Sequence, residues 1–213
     1  ASLSGGAVAA SNLASAQQAS GSRASVSLTN STVSGNLVQS ASGNAAAASL
    51  AGNVSLTLNN CTVAQNDVAA NSSGASIVRS RCTVTAEPMA TLTSTIVAMT
   101  NSSNSAYNDL ADDGSAFSNS WIANNSLVQR TSATLSGAGN LTSVDPLLAA
   151  LAWNGSSTRS HALGSSSPAL NAGSNVLALS TDQRGQARVF GTAADIGAYE
   201  ATLTATSAVG CGF

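Results

Sequence analysis

Formal charge is scarce in this chain of 213 residues. It has seven arginines, nine acids and no lysine, and five of those groups fall in one stretch. The stretch is TDQRGQARVFGTAADIGAYE, Thr181 to Glu200, and the five are Asp182, Arg184, Arg188, Asp195 and Glu200. Carboxylates interleaved with guanidinium groups can do two kinds of work. Polysaccharide elimination needs a calcium-holding acidic cluster and a base, and hydrolysis needs several carboxylates close together. Here the acids are spread as D-x-R and then a thirteen-residue gap, with arginines between them. That spacing better suits bidentate arginine–carboxylate pairing, which satisfies otherwise unpaired backbone. Asp182, Arg184, Asp195 and Glu200 are therefore read as a structural, ion-paired clasp on the last coils of the fold. No residue is assigned a catalytic role.

His161, the one histidine, sits in STRSHALG beside an apolar Ala-Leu pair and is read as structural. Serines are so numerous that no Ser–His–Asp set stands out. Asp109, Asp112 and Asp113 in NDLADDG form the only acidic cluster. Its spacing is not that of an EF-hand, so a solvated loop is favoured over a weak calcium site. No cofactor and no metal is implied.

Composition narrows the partners. Net charge is −2, and the scattered arginines leave no footprint for nucleic acid. The longest strongly apolar run, Leu147–Trp153 (LLAALAW), falls far short of the roughly 20 residues a membrane-spanning helix needs. The opening ASLSGGAV lacks a leader's basic and apolar regions, which fits a processed mature protein or a trimmed chain. Apolar residues reach 43% but aromatics only 3%. Such a chain must bury rows of small side chains rather than a few aromatic anchors. Low charge also leaves little repulsion between copies, so self-association is expected.

The elements that must position these residues are repeats. SVSLTNSTVSGN (Ser25–Asn36) lies over SLTLNNCTVAQN (Ser55–Asn66) at a shift of 30, with six of twelve positions identical. A third copy, ATLTSTIVAMTN (Ala90–Asn101), sets Val97 against Val63, and SNSWIANN (Ser118–Asn125) is a weaker fourth echo. Within each copy apolar residues alternate, which means strands. Asn and Gly close each unit, as left-handed turn positions require. The clearest helical signal is Leu147–Leu151, after Pro146. Short strands recurring at this period predict an all-β fold, a right-handed parallel β-helix of one domain. Residues 1–143 would supply repeat coils and 144–213 the C-terminal coils with the charged segment. Roughly seven to nine coils at about 4.8 Å each would make a rod about 40 Å long.

Thr32–Asn36 (TVSGN) and Thr95–Ala98 (TIVA) resemble the closing motif of polymorphic outer-membrane-type surface repeats, although AASLAGN (Ala47–Asn53) lacks the usual glycine pair. From Val144 to Glu200 the chain carries, in order, D-P-L-L, N-G, T-x-x-H-A-L, S-P-A-L-N-A-G, T-D-Q-R-G and D-I-G-A-Y-E. This series is similar to the C-terminal part of choice-of-anchor Q domain proteins. The resemblance implies a secreted bacterial surface protein, a right-handed parallel β-helix and no transferable catalytic activity. The family's sorting anchor is not evident in ATLTATSAVGCGF.

Cys61, Cys82 and Cys211 cannot all pair within one chain. Laying SIVRSRCTV (Ser76–Val84) on SLTLNNCTV at a shift of 21 stacks Cys82 on Cys61, about 5 Å apart and within disulfide reach. In that register the rival to a disulfide is two reduced, buried side chains in a stacked row. The alternative register makes Ile77–Ala86 only the leading strand of the third copy. Cys211 would be free or would pair between chains. Eight N-x-[ST] sequons begin at Asn30, Asn53, Asn60, Asn71, Asn101, Asn124, Asn140 and Asn154, as expected where Asn, Ser and Thr abound. Together these features predict a non-enzymatic extracellular or cell-surface protein, structural or adhesive, with itself as homopolymer partner or a surface glycan as ligand. The rival readings are a polysaccharide-active enzyme or a carbohydrate-binding adhesin on the same scaffold.

Overall fold

A computed structural model describes residues 8–11, 23–38, 45–68, 75–80, 87–98, 108–114 and 116–202. The first coil is β1 (Val8–Ser11), β2 (Ala24–Thr29), β3 (Thr32–Ser34) and β4 (Leu37–Val38). The second is β5 (Ala45–Ala51), β6 (Val54–Asn59), β7 (Thr62–Ala64) and β8 (Asp67–Val68). The third holds β9 (Ala75–Ser80), β10 (Met89–Thr93) and β11 (Ile96–Ala98), and the fourth β12 (Leu110–Asp112), β13 (Trp121–Asn124) and β14 (Leu127–Val128). The fifth holds β15 (Leu135–Ser136) and β16 (Leu141–Thr142), with Thr131 bridging to Leu110. Each strand pairs in parallel with its counterpart one coil away. The result is a parallel β-solenoid with three long sheets, ordered β1-β5-β9-β12, β2-β6-β10-β13-β15 and β3-β7-β11-β14-β16.

The repeat alignment is the observed register. Ser25 lies on Ser55, Leu28 on Leu58, Thr32 on Thr62, Val33 on Val63, and Val63 on Val97. Alternation explains which side faces in: β6 and β10 bury every second residue and leave the others half-exposed. One inward row runs Leu28, Leu58, Leu92, Ala123. A second runs Val26, Leu56, Ala90, where the small Ala90 leaves room for Trp121 on the next coil. Corners between the second and third sheets repeat one device. Asn30, Asn60, Ser94, Asn125 and Gly139 all have positive φ, between 46° and 71°, a region asparagine and glycine enter at low cost. The following residue ties back to the carbonyl two positions earlier: Ser31 to Thr29 at 2.8 Å, Thr95 to Thr93 at 3.0 Å, Ser126 to Asn124 at 3.0 Å.

Three expectations fail. β9 pairs with β5, not β6, so Ser76–Ser80 do not take the shift of 21; β9 leads into β10 of the third coil, and Arg81–Ala86 lie outside the described residues. Leu147–Leu151 is not a helix. Leu147 has φ 52°, its N–H donates to Asp145, and Leu148 forms an antiparallel bridge to Leu163, turning its side chain onto the third sheet. Third, the coils number five among the described residues, about 20 Å of stack. Residues 144–202 contribute no named strand and no C-terminal coil. They form a strap over the outer face of the third sheet, where Ile96, Ala98 and Leu127 pack with Ala169, Ile196, Leu148 and Leu163. The third sheet is thus covered on both faces, with Val33, Val63, Val97 and Val128 on its inner side.

Leu92 is fully buried between Leu58 and Ala123. Leu92→Ala is expected to cost about 2–5 kcal/mol. Chemical denaturation measures the loss, and hydrogen exchange should place the weakening at the third coil and its neighbours.

Candidate functional site

A strap without long strands has no continuous ladder for its buried backbone N–H groups. Some bond to backbone carbonyls, as Gly173 does to Ala194, Arg188 to Ser180 and Ile196 to Ala169, and the charged segment supplies side-chain acceptors for others. Asp182 Oδ1 accepts from the N–H of Arg184 (2.8 Å) and Gln186 (3.1 Å), and Oδ2 from the N–H of Glu200 (3.0 Å) and Arg184 Nε (2.8 Å). Asp195 accepts from the N–H of Asn171 and of Ala201, both at 2.7 Å. Glu200 accepts from the N–H of Phe190 and of Asp195, both at 2.9 Å, and from Arg188 at 2.8 Å. All three carboxylates are buried. Burial pushes the Glu200 carboxyl above its usual range, offset in part by the two N–H donors.

The two arginines close this knot. Arg184 pairs with Asp182 at 2.8 Å, donates to the Glu200 carbonyl and lies over the Tyr199 ring at 3.7 Å. Arg188 is fully buried; it pairs with Glu200 at 2.8 Å and donates to the carbonyls of Gly197 (2.9 Å) and Asp195 (3.0 Å). The residues expected in the clasp, Asp182, Arg184, Asp195 and Glu200, therefore sit in one cluster. The cluster lies on the early coils and not on the last ones. Asn30 donates to the Thr181 carbonyl, Thr32 to Gln183, and Thr62 accepts from the N–H of Ala198 at 3.0 Å. Gly197 has φ 109°, and a Cβ there would meet Thr62 Oγ1 at 2.8 Å, so the strap can approach this closely only with glycine. Sequence reasoning gave Arg188, Gln183 and Asn171 no role. The one available signal was Arg188 in ARVF, a cation among apolar neighbours.

His161 is buried and also joins strap to first coil. Nδ1 lies 2.8 Å from the Ala149 carbonyl, which can only accept, so Nδ1 carries the proton. Nε2 then accepts from Ser34 Oγ at 2.8 Å. This brings a serine against the histidine, but a backbone carbonyl stands where a catalytic triad has its acid, and both side chains are shut from solvent. Desolvation pushes the His161 pKa down, opposed by the bond to Ala149.

The acidic cluster comes apart: Asp113 is exposed, as in a solvated loop, while Asp109 is buried and Asp112 partly buried. Asp109 is fully buried and accepts from the N–H of Arg130 at 2.7 Å. Asp112 forms a bidentate pair with Arg79, at 2.8 and 3.0 Å, and accepts from Trp121 Nε1 at 3.1 Å. Arg79, buried, lies between the rings of Phe117 (4.7 Å) and Trp121 (4.6 Å). Nothing in the sequence singled out this guanidinium beyond its place in an otherwise uncharged strand. Among the described residues no group of three His, Cys, Asp or Glu is placed to hold a metal ion.

Cys61 carries a free, fully buried thiol. It occupies the corner row of Ser31, Thr95 and Ser126 and makes their bond, Sγ to the Asn59 carbonyl at 3.2 Å. Burial pushes its pKa up to about 12, opposed by its backbone bonds. Cys82 and Cys211 lie outside the described residues, and Ser76–Ser80 do not take the register that would have stacked Cys82 on Cys61. The sequon asparagines are engaged as well: Asn30, Asn140 and Asn154 donate their amides to Thr181, Ala123 and Ser160 carbonyls. Asn60 donates to Ser174, Asn124 accepts from Ala138, and Asn53 is buried. Asn71 and Asn101 lie outside the described residues. Of the Trp and Tyr rings that could stack on a sugar, Trp121 is in the core, Tyr199 is under Arg184, Trp153 is 55% exposed with Arg159 at 5.0 Å, and Tyr107 lies outside the described residues.

Two outcomes follow from this geometry. Arg188→Ala strands Glu200 in a buried site and is expected to cost about 3–5 kcal/mol. Arg184→Ala should cost less, because Asp182 keeps three N–H donors. Thermal and urea unfolding rank the two, and the reverse order would contradict the bonding described. Second, the unfolded chain protonates His161 near its ordinary value of 6.5, while the buried ring resists. His161 thus contributes stability that is full above pH 6.5 and is lost as pH falls below it. Glu200, with its raised pKa, acts in the opposite sense above its ordinary 4.5. The His161→Gln variant should lose the stability change that begins below pH 6.5 and keep the one due to Glu200, read as Tm against pH.

No family model, curated protein or solved structure matches this chain.

Proposed function

We propose that this chain is a non-catalytic structural or adhesive element that works outside the cell or at its surface. The observation that carries this reading is the complete internal use of the cluster's carboxylates. Each carboxylate oxygen of Asp182, Asp195 and Glu200 accepts at least one bond from the chain itself. A general acid or base needs a lone pair within reach of substrate, and these are turned inward. The resemblance of Val144–Glu200 to secreted surface proteins supports the location.

The adhesive side of the reading rests on the second sheet. Its outer face carries Ser27, Thr57, Thr91, Ile122 and Ser136 in one row and Thr29, Asn59, Thr93 and Asn124 in the next. It is uncharged, rich in hydroxyl groups and at least partly exposed along both rows. Such a face can hydrogen-bond an extended glycan, with the exposed Trp153 elsewhere on the molecule as one stacking platform.

The test is a panel of uronate and neutral glycans, assayed for cleavage and for binding on an array. We expect no turnover, with or without added calcium. Turnover that survives purification and is lost in Asp182→Asn or Glu200→Gln variants that still fold would replace this reading with the enzymatic one.

A further inference from the structure

Among the described residues the stack has two ends, each with unpaired sheet edges. β2 and β3 have described partners on one side only, as do β15 and β16 at the other end. The fifth coil opens onto a cavity of about 450 Å³ lined by Thr131, Ala133, Leu135, Gly137, Asn140 and Thr142, among others. Ala133 and Leu135 here, and Val26 and Leu28 at the first coil, are core-facing residues only partly buried.

Monomeric proteins usually blunt such edges with lysine, proline or inward-pointing charge. The described end strands β2, β3, β15 and β16 have none of these. No charged residue and no proline occurs from Ala24 to Asn66 or from Thr131 to Val144. The corner device also continues to both ends, with φ 46° at Asn30 and 71° at Gly139. Another coil could therefore be added one step, about 4.8 Å, beyond the fifth without changing the turn.

We infer that the two ends bind each other between copies: β15 and β16 of one molecule pair in parallel with β2 and β3 of the next. Parallel continuation joins leading end to trailing end, a heterologous contact that does not close on a pair and so builds an open chain. The inward rows continue across the joint. Leu135 follows Trp121 in the row that begins with Val26, so Val26 of the next copy lands on Leu135. This inference rests on the structural reading above and names a second copy of the chain as the partner.

Sedimentation velocity and negative-stain microscopy of the full chain test it. The wild type should grow in mass with concentration into linear particles. Val26→Lys blocks the leading end and Leu135→Lys the trailing end. Both positions are half-exposed, so the lysine stem can reach solvent, and circular dichroism checks that each variant folds. Val26→Asp and Leu135→Asp serve where a lysine variant does not. Each blocked variant alone should remain monomeric, and an equimolar mixture should give one-to-one dimers, because one free leading end and one free trailing end remain. A wild type that stays monomeric at every concentration overturns the inference. So does a blocked variant that still assembles alone, since that means pairing of like ends. Neither outcome touches the non-catalytic reading, which only glycan turnover would overturn.

Discussion

A buried backbone N–H must find an acceptor, and the structure is organised by how each part of the chain meets that demand. In the solenoid the next coil supplies it, so the side chains are free to be small and neutral. Ala24 to Asn66 needs no charge because every strand in it lies against another coil. In the strap there is no next coil and no continuous ladder. Scattered backbone carbonyls serve part of it, as Ala194 does for Gly173 and Ser180 for Arg188. Side-chain oxygens serve much of the rest: Asp182, Asp195 and Glu200, with Asn171 accepting from the N–H of Thr192 at 2.8 Å. The crowding of charge into Thr181–Glu200 follows from this. A carboxylate offers several lone pairs at one point and can hold loops that share no periodicity. The arginines then offset the negative charge, and Arg188 also serves carbonyls left over in the same loops.

The scarcity of aromatic residues is met in the core by complementarity between coils. Leu58 stacks on Leu92, and Trp121 takes the volume that Ala90 leaves. Where a cation enters the stack, at Arg79, it comes with a full set of partners: a bidentate carboxylate, an amide oxygen at 2.8 Å from Asn119 and two ring faces. An unpaired charge there would be costly.

The repeats were legible because strand alternation and the asparagine corners are local and recur. Leu28, Leu58, Asn30 and Asn60 announce both register and turn from sequence alone. The strap was not legible for the converse reason. Its path is set by single long-range bonds such as Thr32 to Gln183 and Ser34 to His161, which leave no period to read. Leu147–Leu151 misled because a run of leucine and alanine looks alike whether it coils on itself or faces a sheet; the Asp145 turn and the apolar surface of Ile96 and Leu127 decide it. The cysteine register failed on a real sequence likeness. SIVRSRCTV matches SLTLNNCTV, but Ala75–Ser80 belongs to the first sheet, where Ala48 and Leu50 already define its row. The clasp residues could be named from their chemistry, whereas the coils they hold could not.

The strap also changes what kind of object the solenoid is. Coils that touch only their neighbours behave as a one-dimensional array, able to fray from either end. Here residues 144–202 bond to Asn30, Thr32 and Ser34 on the first coil, Asn60 and Thr62 on the second and Ser94 on the third. They pack on Leu127 of the fourth coil and Leu141 of the fifth. Loss of any one coil therefore removes an anchor for the strap, and loss of the strap uncovers the outer side of Ile96, Ala98 and Leu127 together. A short stack of small residues thereby acquires long-range coupling along its whole length. The cost is that one sheet is withdrawn from the surface, while the second keeps its outer face open to a partner.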